Sequence, residues 1–411
     1  MIHTSLSPNT ESDDLCLGFK YLFNPLQWYQ WKKGEGTKNF EEALQKYLGK
    51  NYAFSFQRGR DALYVLIQSL SIGHGDEVIL QAYTCIVVPN AIQYTGAKPV
   101  YVDIEEDGFN IDPKLIEAKI TKKTKAIIIQ HTFGEVADIE AVLAICKKHK
   151  LFLIEDCAHS LSGLYKVKKL GTFGDAAIWS FGRDKIISSV WGGMITTDDD
   201  KLAEKIKEMQ NKLPYPSRVQ IAQALLHPLV FALAKPFYQI KLGKVLIYFS
   251  QLIGLIPRVI FPKEKQGEKP EFFPQKMPSV LARLAHHQLK KLERFHKHRR
   301  DLAVYYTKEL QGIDSLVLPA TSPNAAWLRY TIRSTKAAKI LEEGKKQGIY
   351  LGDWYRRVLA PEDCQLRNFG YELGDCPRAE KAAEETLNLP THIQVDKRKR
   401  RKVVEFVKIN I

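Results

Sequence analysis

The chain has 411 residues, of which 45% are hydrophobic and 26% charged, a composition that excludes fibrous and wholly disordered proteins. Sixty-one Lys and Arg residues against 46 Asp and Glu residues give a formal net charge of +15, which favours anionic partners such as phosphorylated metabolites or anionic lipid. The six cysteines are scattered and form no CxxC pair, so we expect a reducing compartment, no disulfide framework and no metal site. The N-terminal residues lack the basic and apolar parts of a secretory signal, and we therefore expect a cytoplasmic protein.

Short apolar runs alternate with amphipathic segments from residue 51 to about residue 197. Continuous apolar strands that alternate with helices indicate a mainly parallel sheet covered on both faces. We therefore predict a large α/β domain at residues 51–212, preceded by an N-terminal segment at residues 1–50. The predicted strands are 52–56, 77–81, 99–103, 125–130, 151–155, 176–180 and 192–196, and the helical patterns between them include 61–70, 113–120 and 139–148.

Polar groups follow three of these strands, at the sheet edge where open α/β proteins bind ligands. The first strand is followed by Gln57-Arg58-Gly59-Arg60-Asp61, a glycine-containing turn into a helix, whose free N–H groups suit a phosphate. Asp156 follows the fifth strand and Lys185 the sixth. Each feature alone is often only a turn, a helix cap or a surface lysine. Together they favour pyridoxal phosphate (PLP), which needs a phosphate cradle, a carboxylate for its ring nitrogen and a lysine for a Schiff base.

With these motifs the chain resembles the DegT/DnrJ/EryC1/StrS family of sugar aminotransferases over residues 33–212 and 274–395. Stretches that carry the resemblance include GHGDEVILQAYT (73–84), GAKPVYVDI (96–104), IEDCAHSLSG (154–163) and KKLGTFGDAAIWSF (168–181). The resemblance implies an α/β fold of the aspartate aminotransferase-like fold type I, with a mainly parallel seven-stranded sheet and a smaller C-terminal α+β domain, placed here at residues 274–411. It also implies a homodimer that uses PLP to move an amino group from glutamate or glutamine onto a keto-sugar, usually nucleotide-linked, in polysaccharide, lipopolysaccharide or amino-sugar biosynthesis.

The resemblance also assigns expected roles to individual residues. Lys185 matches the catalytic Schiff-base lysine of the family's SFxxxK motif, and Asp156 matches the aspartate that pairs with the pyridinium nitrogen. The other expected cofactor-binding residues are His159 near the ring, Ser180 at the phosphate, and Gly59, Arg60 and Asp61 in the phosphate turn.

Several positions depart from the family pattern and leave the substrate open. Cys85 stands where the family has an aromatic residue stacked on the ring, with Tyr83 the nearest aromatic. Ile186 and Trp191 replace an asparagine and a glutamate, and the family's Asn-x-Arg-Met reads Pro-Gln-Lys-Met at 274–277. Arg60 offers a replacement for the positive charge lost from that loop. Asp61 would repel a phosphate unless its side chain turns away and only its N–H faces the anion.

Residues 213–273 form an apolar helical insertion without a counterpart in the family pattern. Its uncharged stretches at 219–234 and 245–257 are shorter than the roughly 20 residues of a spanning helix, and Lys or Arg flanks both. They fit interfacial helices at a membrane or lipid-linked substrate, which would make the protein peripherally membrane-associated. They also fit a helical flap packed on this chain or at a dimer interface, or a site for a partner protein. The basic run at 397–402 is typical of a solvated helix face, and without a nucleic-acid motif we expect no nucleic-acid partner.

Two other functions remain open. One is a different PLP-dependent reaction on a lipid-linked or nucleotide sugar, such as a dehydration, although Lys185 stands where the family's dehydratases carry histidine. The other is a non-catalytic, membrane-associated family member, which the departures at Cys85, Ile186 and Trp191 would suit. The intact Lys185 and Asp156 argue against it.

Overall fold

A seven-stranded sheet lies at the centre of the computed structural model, which describes residues 1–320 and 322–411. The strand order is β2-β11-β10-β7-β6-β3-β5, and β11 alone runs antiparallel to its neighbours. These strands are β2 (Tyr52–Phe56), β3 (Glu77–Gln81), β5 (Lys98–Val102), β6 (Thr124–Gln130), β7 (Phe152–Asp156), β10 (Ala176–Ser180) and β11 (Gly193–Thr197). The prediction of a mainly parallel seven-stranded sheet is confirmed, and each boundary agrees within one residue.

Both faces of this sheet are buried, which explains the continuous apolar runs. Ile127 and Ile129 of β6 belong to one core cluster, whereas Ala126 and Ile128 belong to another on the opposite face. Alternate residues of a strand point to opposite faces, so a strand covered on both sides needs apolar residues throughout.

Helices cover the two faces. The first core cluster includes residues of α3, α7 and α12, and the second includes residues of α4, α5, α8 and α15. The α-helices are α1 (Ser12–Phe23), α2 (Pro25–Trp28), α3 (Gly36–Leu48), α4 (Gly59–Ser69), α5 (Val87–Gln93), α6 (Pro113–Ile116), α7 (Ile139–His149), α8 (Asp200–Lys212), α9 (Arg218–Ala234), α10 (Leu242–Leu252), α11 (Pro262–Lys265), α12 (Ser279–Leu289), α13 (Leu292–Leu310), α14 (Ala337–Lys346), α15 (Pro377–Glu385) and α16 (Lys397–Asn410).

A smaller α+β unit with its own core follows α13. Its main strand pair is antiparallel, β12 (Tyr330–Arg333) with β15 (Thr386–Leu389), and α14 and α16 pack beside it. The basic run at 397–402 forms the exposed start of α16, whereas Val403 and Phe406 are buried. The short strands of the chain are β1 (Ile2–His3), β4 (Thr84–Cys85), β8 (Leu164–Tyr165), β9 (Lys168–Lys169), β12 (Tyr330–Arg333), β13 (Ile349–Tyr350), β14 (Leu359–Ala360) and β15 (Thr386–Leu389). Because β1 pairs with β13, the N-terminal segment also reaches this unit.

The insertion folds as α9, α10 and α11. Helix α9 packs against α1 and buries Ile221, Ala224 and Leu225. Only Gly243 and Ser250 of α10 are buried. Its large apolar side chains stand open to solvent and form what we call the α10 surface: Leu242, Val245, Leu246, Tyr248, Phe249, Leu252 and the adjacent Ile253. Across the described ranges 1–320 and 322–411, no helix combines the length and apolarity needed to cross a membrane.

Candidate active site

A cavity of about 480 Å³ lies at the carboxyl ends of β2, β7 and β10. These three strands run in the same direction, so the residues that follow them meet at one edge of the sheet. Six of the eight predicted site residues line the cavity, namely Gly59, Arg60, Cys85, Asp156, Ser180 and Lys185. Asp61 and His159 lie behind its wall and are buried.

Lys185 and Asp156 bring opposite charges to the cavity. Burial lowers the pKa of the Lys185 ammonium to about 8, although the nearby Asp156 carboxylate favours the charged form. Burial raises the pKa of Asp156. The Ala158 N–H, which donates to its Oδ1 at 3.0 Å, and the charge of Lys185 both act to lower that pKa, but burial has the larger effect. A lysine with a lowered pKa has more of the neutral, nucleophilic amine at physiological pH than an exposed lysine does.

The turn from β2 into α4 forms one end of the cavity. A side chain at Gly59 would bring its Cβ within 3.1 Å of the Ser180 Cβ, so glycine allows the start of the helix to approach the end of β10. The first N–H groups of α4 have no acceptor within their own helix, which makes this terminus suitable for an anion.

Arg58 adds a cation to this turn that the sequence analysis did not assign to the site. Its guanidinium lies 4.4 Å from the centre of the Trp191 ring and is almost fully buried. Its Nε and Nη2 have no hydrogen-bond partner within residues 1–320 and 322–411. The substitution of the family's glutamate by Trp191 thus provides an aromatic face for Arg58. The sequence places an arginine on each side of Gly59, but it does not tell which of the two faces the phosphate site.

Arg60 instead pairs with the insertion. Its Nη1 lies 2.9 Å from Glu264 Oε1, with both side chains buried, and its Nη2 donates to the Val259 carbonyl at 2.7 Å. We call residues 259–264 the strap, since they lie across the phosphate turn. The charge of Arg60 is therefore largely balanced by Glu264, whereas Arg58 has no carboxylate partner among the described residues.

The Asp61 side chain turns toward the segment that replaces the family's Asn-x-Arg-Met. Its Oδ2 accepts from the Gln275 N–H at 3.4 Å. Burial raises the pKa of Asp61 to about 6, which Arg58 and Arg60 oppose. This orientation keeps the Asp61 carboxylate out of the cavity, where it would repel a phosphate bound at this turn.

Aromatic residues line the cavity, but the one nearest to Cys85 in sequence is not among them. Tyr83 is fully buried, and its hydroxyl bonds with Thr386 Oγ1 at 2.7 Å. Trp354 lines the cavity instead, with the Lys185 Nζ 5.5 Å from its ring centre. The backbone N–H of Trp354 donates to Asn388 Oδ1 at 3.0 Å, which fixes the main chain at this residue. Trp354 could not be predicted from the sequence, because it lies 169 positions after Lys185 and only tertiary packing brings the two together.

His159 lies one layer behind the cavity. Its ring stacks between Phe133 and Trp354, with ring centres 5.9 and 6.0 Å away, and its Nδ1 accepts from the Phe133 N–H at 3.2 Å. Burial holds the pKa of this imidazole well below its usual range, so it is neutral at pH 7. His159 therefore positions Trp354 in this structure rather than lining the cavity.

Asn9 supports the lysine from the N-terminal segment. Its buried side-chain amide donates to the Ile186 carbonyl at 3.0 Å and also contacts the Lys185 carbonyl. Arg299 in turn donates to Asn9 Oδ1 at 2.8 Å. The N-terminal segment thus fixes the loop that carries Lys185 through Asn9. No local sequence pattern predicts this contact.

The residues present fit PLP. The unpartnered nitrogens of Arg58 and the start of α4 would hold the phosphate, Asp156 would face the ring nitrogen, and Lys185 would reach the aldehyde carbon. Arg58 is the observation that supports this fit. Burying a cation without hydrogen-bond partners costs free energy of folding unless an anion completes the site.

A sequence profile of the DegT/DnrJ/EryC1/StrS aminotransferase family matches residues 19–214 and 265–408. The chain belongs to this family. A pleiotropic regulatory protein of Geobacillus stearothermophilus is 32% identical over 91% of this chain and 89% of its own length. A spore coat polysaccharide biosynthesis protein of Bacillus subtilis is 30% identical over 88% and 85%, and a GDP-perosamine synthase of Caulobacter vibrioides is 40% identical over 45% and 50%.

Solved structures share the fold. A Bacillus subtilis protein with bound cofactor PMP superposes with a TM-score of 0.76 at 23% identity, over 100% of this chain and 84% of that one. PseC of Helicobacter pylori, an aminotransferase involved in the biosynthesis of pseudoaminic acid, gives 0.76 at 22% identity over 100% and 98%. The fold predicted by resemblance is confirmed, and the profile leaves out residues 215–264, which lie within the predicted insertion.

Proposed function

We propose that this family member is a PLP-dependent aminotransferase that moves an amino group from glutamate or glutamine onto a nucleotide-linked keto-sugar. The observation that carries the proposal is the meeting of Lys185, Asp156 and the unpartnered Arg58 around one cavity. A non-catalytic member would have no need of a lysine with a lowered pKa beside a buried carboxylate.

The substrate class rests on two kinds of support. A relative that is 40% identical over half its length carries the name GDP-perosamine synthase, and a further relative is named for a dTDP-linked amino sugar. The cavity wall also includes Arg356, which suits the phosphates of a nucleotide sugar. Polysaccharide or amino-sugar biosynthesis is the setting that these substrates imply.

Bound PLP supplies an electron-accepting ring that stabilises negative charge on the substrate carbon. The chain's own residues prepare that chemistry. Arg58 and the α4 N–H groups would anchor the PLP phosphate, and Asp156 would keep the ring nitrogen protonated. Lys185 would supply a neutral amine at its Nζ to hold the cofactor aldehyde, and the same atom would carry a proton between the substrate and the cofactor. The apolar wall around Trp354 and Trp191 limits water near the lysine.

The two half-reactions test this proposal separately. Purified holoenzyme is mixed with L-glutamate, L-glutamine and other amino acids, and in parallel with UDP-, GDP- and dTDP-linked 3-amino and 4-amino sugars. The visible absorption of the bound cofactor reports each transfer. We expect a change with glutamate or glutamine and with at least one nucleotide amino sugar. Reaction with amino acids but with none of the sugars would contradict the sugar assignment.

We also propose that the protein is a homodimer that contacts an anionic membrane surface through the α10 surface. The dimer rests on the family resemblance. The membrane contact rests on the exposure of large apolar side chains on α10 beside Lys241 and Lys244.

A further inference from the structure

The insertion forms one wall of the active-site cavity. His227, Pro257, Val259 and Ile260 all line it, and all lie in the stretch that the family profile leaves out. The insertion therefore changes the shape and polarity of the substrate pocket, whatever else its exposed helix contacts.

His227 is a buried polar residue of this wall. Its ring stacks on Phe231 of the same helix, with 4.2 Å between ring centres, and the residue is 1% exposed. Neither ring nitrogen has a hydrogen-bond partner in the described parts of the chain, residues 1–320 and 322–411. Buried polar groups in native proteins almost always have partners, so an unpaired imidazole on a cavity wall points to a ligand.

The charge state of His227 limits which chemical groups such a ligand can present to it. Burial, helped by Arg183 and Lys235, holds the pKa of His227 well below its usual range, so the ring is neutral. A neutral imidazole offers one donor and one acceptor. It therefore suits a group that both donates and accepts hydrogen bonds.

Asp184 and Arg183 contribute to the same cavity. Asp184 is buried, and its Oδ1 has no partner within the two described ranges, while its Oδ2 lies 3.4 Å from the Arg183 Nε. A free carboxylate oxygen repels phosphate and attracts O–H or N–H donors. Together the three side chains offer hydrogen-bond donors and acceptors. Their net charge is small, because Asp184 balances Arg183 and His227 is neutral.

We propose that His227, Asp184 and Arg183 form a subsite that binds hydroxyl groups of the sugar ring, so that the insertion sets the sugar specificity. This inference rests on the proposed function, since it names the part of the keto-sugar that the subsite recognises. Sugar hydroxyls both donate and accept hydrogen bonds, which matches the carboxylate oxygen and both imidazole nitrogens.

The test compares the two half-reactions in variants of the holoenzyme. His227→Phe keeps a ring stacked on Phe231 but removes both nitrogens, and His227→Gln keeps a donor and an acceptor. His286→Phe makes the same chemical change on α12, outside the cavity. Each is assayed with L-glutamate and with the UDP-, GDP- or dTDP-linked amino sugar on which the wild type is fastest. The measured quantity is the ratio of kcat/KM for the sugar to kcat/KM for the amino acid.

We expect His227→Phe to lower this ratio about tenfold, because hydrogen bonds to the sugar are lost, with partial recovery in His227→Gln. His286→Phe should keep the wild-type ratio. An unchanged ratio, or an equal loss in both half-reactions, would overturn the subsite alone. A wild type that reacts with amino acids but with none of the sugars would overturn the proposed function as well. If His227→Phe fails to fold, Asp184→Asn is assayed instead. A lowered ratio then supports the subsite, and an unchanged ratio overturns it.

Discussion

At the scale of single residues, the proposed reaction of Lys185 with PLP depends on the lowered pKa of its amine. Burial lowers the pKa to about 8, and only the neutral amine is nucleophilic. We expect apoenzyme mixed with PLP and then reduced with borohydride to gain a Lys185 adduct faster as the pH rises from 6.5 to 9, with a midpoint near 8. Mass spectrometry measures the adduct, and Lys185→Ala is the control without it. A midpoint near 10.4, as in an ordinary lysine, would contradict the role of burial.

Arg58 and Arg60 are predicted to have different roles although both flank Gly59. Within residues 1–320 and 322–411, Arg58 Nε and Nη2 have no partner, whereas Arg60 lacks a partner at Nε alone and is paired with Glu264. Loss of charge-assisted hydrogen bonds to a phosphate costs about 1.5–3 kcal/mol, so we expect Arg58→Gln to weaken PLP binding on the order of ten- to a hundredfold. Fluorescence titration of apoenzyme measures the affinity, and Arg60→Gln is the matched variant. A larger loss in Arg60→Gln would assign the phosphate to Arg60 instead.

The residues that could be predicted from the sequence are those held in short motifs at strand ends. Lys185 and Asp156 follow strands whose apolar runs are unambiguous, so parallel topology alone brings them together. Trp354, Asn9 and His227 could not be predicted, because each reaches the cavity or its supporting loop from a distant part of the chain. Their positions depend on the packing of the small unit, the N-terminal segment and the insertion.

At the scale of elements, the strap is held to the phosphate turn by a buried ion pair. The Asn90 side-chain amide also donates to the Glu264 carbonyl at 2.9 Å, so α5 contributes to the attachment. Removing one partner of a buried pair leaves an uncompensated charge, typically at a cost of about 3–5 kcal/mol.

We therefore expect Glu264→Gln to lower the free energy of unfolding by about 3 kcal/mol and to expose the strap to chymotrypsin near Phe261. Urea unfolding and limited proteolysis measure the two effects. The double variant Arg60→Gln/Glu264→Gln should recover part of the stability, since neither charge is then left alone. Strictly additive losses in the double variant would show that the two side chains do not stabilise each other.

The insertion shows where sequence patterns stop being informative. Its two apolar stretches read alike in composition, yet α9 is packed on α1 and α10 is open to solvent. The packing of α9 and the strap fits the packed-flap hypothesis, whereas for the exposed α10 the interfacial hypothesis stays a proposal. A helix that is apolar on most sides does not reveal which side is covered. By contrast, the strands of the central sheet were predictable because short, apolar, β-branched runs between turns have few alternatives.

At the scale of the whole molecule, the charge of the insertion complements its apolar surface. Residues 213–273 contain eight Lys or Arg residues and three Glu residues, and all three glutamates follow the apolar stretches, at 264, 268 and 271. Basic residues near an anionic bilayer contribute roughly 1 kcal/mol each, in addition to the burial of apolar side chains. A second copy of the chain would gain the apolar term, but it would bring the same positive charge to the contact. The balance of charge therefore favours an anionic membrane surface as the occupant of the α10 surface.

Vesicle flotation tests this membrane contact. We expect the protein to float with phosphatidylglycerol vesicles at low salt, less at high salt because screening weakens the attraction, and weakly with phosphatidylcholine alone. Phe249→Ser/Leu252→Ser/Ile253→Ser should abolish flotation. Val167→Ser/Leu373→Ser/Ile409→Ser is the matched control, since these apolar residues are at least as exposed (92, 75 and 80%) but lie outside the insertion. If the wild type does not float and the α10 variant is monomeric by light scattering while the control is dimeric, the α10 surface is a subunit interface instead.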